Sequence, residues 1–475
     1  MPNPEPTTRS GAHDDSRTAS RFDRLRGALA TPVDVASLAV FRVLFGAVLF
    51  WEVWRFFDNG WIRTYYIARE VHFKYLGFGW VQAWPGDWMY VHFAVVGLLA
   101  LGVAVGYRYR LCSALLFVGF AYWFLLDKTR YLNHLYLTLI LCFLMALVPA
   151  HRGASLDALR RPGLRSETVP AWSLWLLRGQ IAVVYLHAAL AKLNGDWLRG
   201  APMGAWLRAR DELPLIGPLL GQSIAVPVFA WGGFLFDLTV VPLLLWRRTR
   251  LLAVLLSVFF HVTNKWLFDI GIFPVLMLGA TTLLLSPDWP RRLCLLFPPL
   301  GPSRSPSHRG AAAGVGAPRV GRWLTGFLAL WFVVQLAVPL RHWLYPGNVN
   351  WTEEGHCFSW RMKLRDKDTV STRFLATDPA TGREWVVDQG STLSTRQREK
   401  VGQWPDLAHQ FALITAQRML EEGLGEVEIR VEALVSLNGR EPQLLIDPEV
   451  DLVAQPRSLA PAEWIMPLDR PLPGE

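Results

Sequence analysis

The sequence predicts a polytopic α-helical membrane protein with about nine spans, followed by a small α+β domain outside the bilayer. Three observations lead there. The 475 residues are 52% hydrophobic and 13% aromatic, with 23 Trp, 26 Phe and a mean hydropathy of +0.23, too apolar for a soluble multidomain enzyme. Apolar stretches long enough to cross most or all of a bilayer recur as far as residue 341. After residue 342 the composition changes to a mixed pattern of helix and strand.

Taken in order, residues 1–33 are polar, contain Arg and Asp, and lack an apolar core. They read as a disordered cytoplasmic tail rather than a cleaved secretory signal. The transmembrane domain is expected over 34–342, with apolar stretches at 36–57, 88–106, 110–126, 132–149, 174–193, 226–246, 251–267, 269–286 and 322–341. Several are short and joined by tight turns, and one pair could be re-entrant. Residues 298–318, rich in Pro, Gly, Ser and Ala, read as a flexible cytoplasmic linker. In the extramembrane domain, 343–475, residues 426–432 alternate like a strand, Asn438 and Gly439 form a hairpin-turn signal, and 443–446 follow as a second strand. Residues 404–420 look helical.

The net charge of +9 comes almost wholly from arginine. Arg108 and Arg110, then Arg152 to Arg165, then Arg247 to Arg250, then Arg291 to Arg322 fall in alternate connections between apolar stretches. This is the pattern of membrane orientation, not of a phosphate-binding face, so nucleic acid is excluded as a partner and the bilayer is the expected one. These loops belong in the cytoplasm, which puts the N-terminus inside and the C-terminal domain outside. The low-lysine, high-arginine usage suggests a GC-rich bacterial genome, and with it a bacterial inner membrane. Cys112, Cys142, Cys294 and Cys357 show no metal-site spacing, so neither a disulfide framework nor a zinc site is expected.

Lysine occurs only at 74, 128, 192, 265, 363, 367 and 400. Lys192 nevertheless closes the apolar run 181–192. An ammonium held near hydrocarbon loses hydration, which favours the neutral amine and so a base. Three polar clusters interrupt the apolar stretches: 127–134 with Asn133 and His134, 192–197 with Lys192, Asn194 and Asp196, and 261–265 with His261 and Asn264. The orientation argument puts all three at the outer face. Ionisable groups inside spans are costly and usually face the bundle interior, which makes them functional candidates. Plainer readings exist for each: Lys192 could snorkel to the interface, and His134 or His261 could simply satisfy a carbonyl. Lys265 reads as an interfacial anchor, and Trp51, Trp54, Trp61, Tyr65 and Tyr66 as an aromatic belt. His187, five residues before Lys192, falls on another helix face and outside the site. No nucleotide-binding loop, zinc-protease helix or nucleophile elbow is present. A haem held by His134 and His261 is an alternative, but the nearby lysine and asparagine suit proton transfer better.

Residues 87–90, 125–129 with Asn133 and His134, 177–181, 192–197, 260–264, 286–290, 350–352, 358–360 and 446–451 read, in order, as motifs of one family. Over about residues 35 to 470 the sequence resembles the vitamin K-dependent γ-glutamyl carboxylases and the wider horizontally transferred transmembrane (HTTM) family. The resemblance implies an integral membrane lyase that uses vitamin K hydroquinone, or a menaquinol-like naphthoquinol, with O2 and CO2 and no metal. A lysine at the position of Lys192 would deprotonate the hydroquinone; after oxygen adds, the resulting alkoxide would remove a γ-proton from Glu, and CO2 would capture the carbanion. His134 and His261 would hydrogen-bond or polarise the quinone oxygens, Asn133 would position His134, and Asn264, Trp360 and His356 would bind substrate. The quinol would enter laterally from the bilayer, and the protein partner would be a Glu-containing protein or peptide. Residues 355–360 read Gly-His-Cys-Phe-Ser-Trp where animal members of the family have Leu-Tyr-Gly-Tyr-Ser-Trp. That difference keeps two other readings open: a quinol epoxidase with a different acceptor, and a non-enzymatic quinone- or lipid-binding membrane protein.

Overall fold

The structure, a computed structural model, describes residues 20–473 apart from 211, 213–216, 269 and 297–318. Residues 1–19 of the expected tail, and the expected linker at 298–318, therefore lie outside the described residues. Residues 21–33, also assigned to the tail, are ordered instead. The Ser20 hydroxyl caps the helix Arg21–Ala30 by accepting from the Asp23 amide at 3.1 Å, and Arg26 donates to the Val320 carbonyl at 2.8 Å. Strand β1 (Pro32–Asp34) then pairs with β2 (Thr168–Pro170).

Each of the nine predicted apolar stretches contains a helix, but among the described residues only five helices are long and apolar enough to cross a membrane. These are Ala36–Asp58, Trp88–Val105, Ala171–Lys192, Ala225–Leu245 and Arg322–Leu344. Tyr109–Leu125, Asn133–Leu147 and Phe273–Leu284 are shorter, and Arg250–Leu267 is amphipathic. Polar clusters stand at an end of two of them, Asn133 and His134 opening Asn133–Leu147 and His261 to Lys265 near the close of Arg250–Leu267. Side chains facing away from the bundle are apolar, including Leu98, Val118, Leu251 and Phe259, each more than 60% exposed. Such a surface calls for lipid rather than water.

The helix Asn133–Leu147 fixes the two ends of the bundle. At its N-terminus the Asn133 amide donates to the Arg361 carbonyl of the C-terminal domain at 3.1 Å. Its C-terminus receives Arg110, which donates to the carbonyls of Ala146 and Leu147. Arg42, fully buried, gathers the carbonyls of Ala104, Ala150, Gly153 and Ala154 at the same arginine-rich end. Arg110 and the 150–154 loop thus lie at the end of this helix opposite the Asn133 contact with the C-terminal domain.

The C-terminal domain is an antiparallel sheet in the order β4-β3-β5-β6, formed by β3 (Lys367–Thr377), β4 (Glu384–Val386), β5 (Glu428–Leu437) and β6 (Gln443–Leu444). The helices Thr395–Gln403 and Pro405–Glu421 cover one face. β5 alternates strictly between buried and half-buried residues, as its sequence pattern requires. Asn438 and Gly439 follow it with φ of 54° and 77°, the left-handed pair that a tight hairpin turn demands. The domain core includes Val71, Phe73, Tyr75 and Tyr131 from the bundle. Polar ties seal the joint: Lys128 to Asp406 at 2.6 Å, and Asp196 to Arg440 at 2.7 and 2.8 Å.

Candidate functional site

A cavity of about 810 Å³ lies beneath this joint. It brings together Asn133, His134, Lys192, His261 and Asn264, so that all three polar clusters contribute to its lining. Trp360 and His356 do not line it. Trp360 is buried with its ring 4.8 Å from that of Tyr136, and His356 packs beside Trp404 with Nδ1 3.6 Å from Glu353. Phe358, Trp360 and Lys363 all have positive φ, and these turns carry the chain past the core so that Met362 and Lys363 reach the cavity instead.

Lys192 ends its helix with only 6% of its surface exposed. Its Nζ makes a very short contact with the Asp237 carboxylate, contacts the Ala188 carbonyl at 3.4 Å, and sits 5.4 Å over the Trp197 ring. Snorkelling is thus not what this lysine does. Asp237 is a single carboxylate within the apolar helix Ala225–Leu245, 5% exposed. Removing either partner would strand the other charge in a dry site, at about 3–5 kcal/mol.

His261 is fully buried, and its Nε2 lies 3.0 Å from the Tyr185 hydroxyl. Its Nδ1 is buried without a hydrogen-bond partner. Whichever ring nitrogen carries the proton, His261 Nδ1 is a buried polar atom that needs a partner. Phe273 links the two histidines, its ring 5.9 Å from His261 and 6.2 Å from His134. Asn133 does not bond His134; its amide accepts from Tyr131 at 2.9 Å and donates to Arg361. Asn133 therefore anchors the domain directly beside His134. Asn264 donates to the Phe260 carbonyl one turn back at 2.8 Å.

Gly271, which the sequence reading did not single out, has φ of +56°; a Cβ there would stand 3.5 Å from Arg55 Nη1 and 3.6 Å from His134 Nε2. Arg55 pairs with the buried Glu52 at 2.6 Å. Trp61, Tyr65 and Tyr66, expected in an interfacial belt, form cavity wall. Only Trp51 and Trp54 of that run keep belt-like exposure. Lys265 lies 5.6 Å over the Trp51 ring, as an anchor would. His187 bonds the carbonyls of Val183 and Leu336, which ties its helix to the last span. Asp237 and Glu52 carried the same signal as Lys192, a charge within an apolar run.

The cavity is chemically two-faced. Phe56, Trp123, Phe236, Phe260, Phe268 and Phe273 supply flat apolar walls, while proton-handling groups converge from three helices. Val228, Leu256 and Phe259 line it and are also exposed on the lipid-facing surface, Phe259 at 68%. The space therefore opens sideways between the helices Ala225–Leu245 and Arg250–Leu267. Such a site suits a planar apolar molecule with polar oxygens at its edges.

Comparison with known proteins gives two matches in tandem. The HTTM domain matches residues 30–289, and the vitamin K-dependent gamma-carboxylase lumenal domain matches residues 320–471. No solved structure matches the chain.

Proposed function

The chain belongs to the HTTM family and carries the lumenal domain of the vitamin K-dependent gamma-carboxylases, and from that premise we propose that it is a quinol-dependent γ-glutamyl carboxylase of the membrane. The observation that carries this reading is the convergence of Lys192, His134 and His261 in one aromatic cavity open to the bilayer. A naphthoquinol fits the residues present: the ring matches the aromatic walls, the tail matches the opening beside Phe259, and the buried His261 Nδ1 lacks the hydrogen-bond partner that a quinol oxygen would provide.

The quinol, with O2, supplies the oxidative chemistry that would produce a base strong enough to remove a γ-proton from Glu. The chain's own residues begin and guard that chemistry. Lys192 accepts the first proton as the free amine, the form left once its ion pair with Asp237 has given up a proton, and Asp237 beside it then keeps the resulting ammonium from becoming an isolated buried charge. His261, set by Tyr185, donates toward developing oxyanion charge, with His134 across Phe273. The aromatic walls and the docked domain exclude water, without which a strong base would be quenched. In this reading the domain faces outward from a bacterial inner membrane and receives a Glu-containing peptide.

A second reading keeps the quinol step and changes the acceptor. It is favoured by the positions of His356 and Trp360, which stand off the cavity. Purified protein in nanodiscs, given reduced naphthoquinone, O2, labelled CO2 and a Glu peptide, separates the two. Epoxide with label in the peptide supports the carboxylase; epoxide without label supports the other acceptor. Absence of both in wild-type protein removes the enzymatic reading.

A further inference from the structure

Beyond the last span, Leu459 is the most exposed large hydrophobic side chain among the described residues, with 73% of its surface uncovered. It sits at the tip of a short loop in which Ser458, Ala460 and Pro461 are exposed and uncharged. An exposed leucine by itself needs no explanation. This one is held rigidly in place, and the place is the edge of the membrane. The loop is tied on both sides of its tip. Before it, Arg457 donates to Asp406 at 2.8 Å and to the Lys74 carbonyl at 2.6 Å. After it, the Ala462 amide donates to Glu354 at 2.9 Å, and Trp464 is buried in the domain core. Within the tip, the Ala460 amide donates to the Ser458 hydroxyl at 3.1 Å.

A bond to the end of the last span sets the height of the tip. That span is Arg322–Leu344, and Tyr345, the next residue, donates its hydroxyl to the Leu459 carbonyl at 2.9 Å. Leu459 therefore lies one tyrosine side chain from the end of a membrane-crossing helix. The helix end is itself apolar and exposed at Trp343 and Leu344, and Leu330 and Val333 continue the exposed apolar surface along the span. An exposed tryptophan at the end of a span belongs at the boundary between headgroups and acyl chains. The loop tip extends that lipid-facing surface onto the C-terminal domain, so the neighbour it fits is lipid.

We propose that the loop 458–461 dips Leu459 into the leaflet facing the C-terminal domain, so that the domain is held to the bilayer directly as well as through its joint with the bundle. The partner is a lipid surface, met at the depth where apolar side chains of membrane-surface segments bury. Because Ser458, Leu459, Ala460 and Pro461 carry no charge, apolar burial and not attraction to headgroup charge drives the contact. The inference is independent of the chemistry of the cavity, and its test needs no turnover.

The full chain with Cys294→Ser and Ala460→Cys is labelled with an environment-sensitive fluorophore and placed in phosphatidylcholine nanodiscs, some of whose lipid carries a nitroxide high on one acyl chain. The Cys294→Ser chain without the new cysteine, labelled in the same way, sets the background from the half-buried Cys112. Lipid nitroxide removes about half of the loop emission, as shallow insertion requires, and a water-soluble nitroxide removes little. Leu459→Asp reverses this order, and Leu459→Ser, a milder change at the same exposed position, moves it the same way. Absence of quenching by the lipid nitroxide overturns the proposal, whether the tip then faces water, a peptide or a second copy of the chain. Equal lipid quenching in Leu459→Asp and in its parent also overturns it, because the fluorophore and not the leucine would then account for the insertion.

Discussion

Lys192 and Asp237 act as a unit, so the order of damage among their variants is predictable. Lys192→Met leaves Asp237 charged in apolar surroundings, and Asp237→Leu does the reverse; each lowers stability by about 3–5 kcal/mol. The double variant is more stable than either single one, because no buried charge remains, yet it stays inactive. Denaturant midpoints of the three variants check this; a double variant as unstable as the sum of the singles contradicts it. At Gly271, Ala introduces a Cβ at φ of +56° between Arg55 and His134, costing about 1–3 kcal/mol. Quinol turnover falls with it, whereas Gly232→Ala, in open space, keeps wild-type stability. Parallel thermal melts of the two alanine variants test the contrast. Lys192, His134 and His261 were legible because a polar group in an apolar helix needs a reason. Asp237 and Glu52 obeyed the same rule but stood alone in runs read for their length, and Tyr185 carries no signal until its partner is known. The segment holding His356 and Trp360 was legible as a motif, but the backbone turns that take both side chains off the cavity were not.

Among the elements, one bidentate pair contributes to the docking of the C-terminal domain alongside the shared core and the Lys128–Asp406 tie. Asp196 accepts from Arg440 through both oxygens and from Asn438 at 2.6 Å. Asp196→Ala leaves a buried guanidinium uncompensated and loosens the domain by about 2–5 kcal/mol. Hydrogen exchange should rise in the β5–β6 hairpin and not at the arginine-rich end of the bundle; unchanged exchange in the hairpin counts against this role. The same domain has a readable pH dependence. Lys367 is buried between the carbonyls of Trp351 and Gln403 at 2.5 Å, and burial, partly offset by Glu353, lowers it from 10.5 to about 7. Between about pH 7 and 10.5 the unfolded chain therefore binds more protons than the folded one. Stability rises with pH through that window, and Lys400, lowered to about 8, adds to its upper part. Thermal midpoints of full-length protein rise from pH 7 to 9, and Lys367→Met flattens the rise; an equal slope in both refutes the assignment. β5 and its turn were legible because alternation and Asn438-Gly439 agree. β3 was not: a register shift between Thr369 and Ser371 and its mixed polar pattern hide the period.

Across the whole molecule, the membrane class, the tandem of bundle and α+β domain, and the shared face of the three clusters follow from composition and charge placement. The number of membrane-crossing helices does not. Hydropathy counts an apolar run wherever it occurs, while among the described residues five helices are long and apolar enough to cross a membrane. The cavity itself was invisible in sequence because its aromatic wall, Trp61, Tyr65 and Tyr66, has the composition of an interfacial belt. Only packing distinguishes the two. The central claim is that this cavity carries quinol oxygenation begun by Lys192, and epoxide formation from reduced naphthoquinone tests it most directly. Wild-type protein in nanodiscs under O2 should form the epoxide, and Lys192→Ala should abolish it while still binding the quinol. Epoxide formed at the wild-type rate by Lys192→Ala, or none formed by wild-type protein that binds the quinol, would contradict the account.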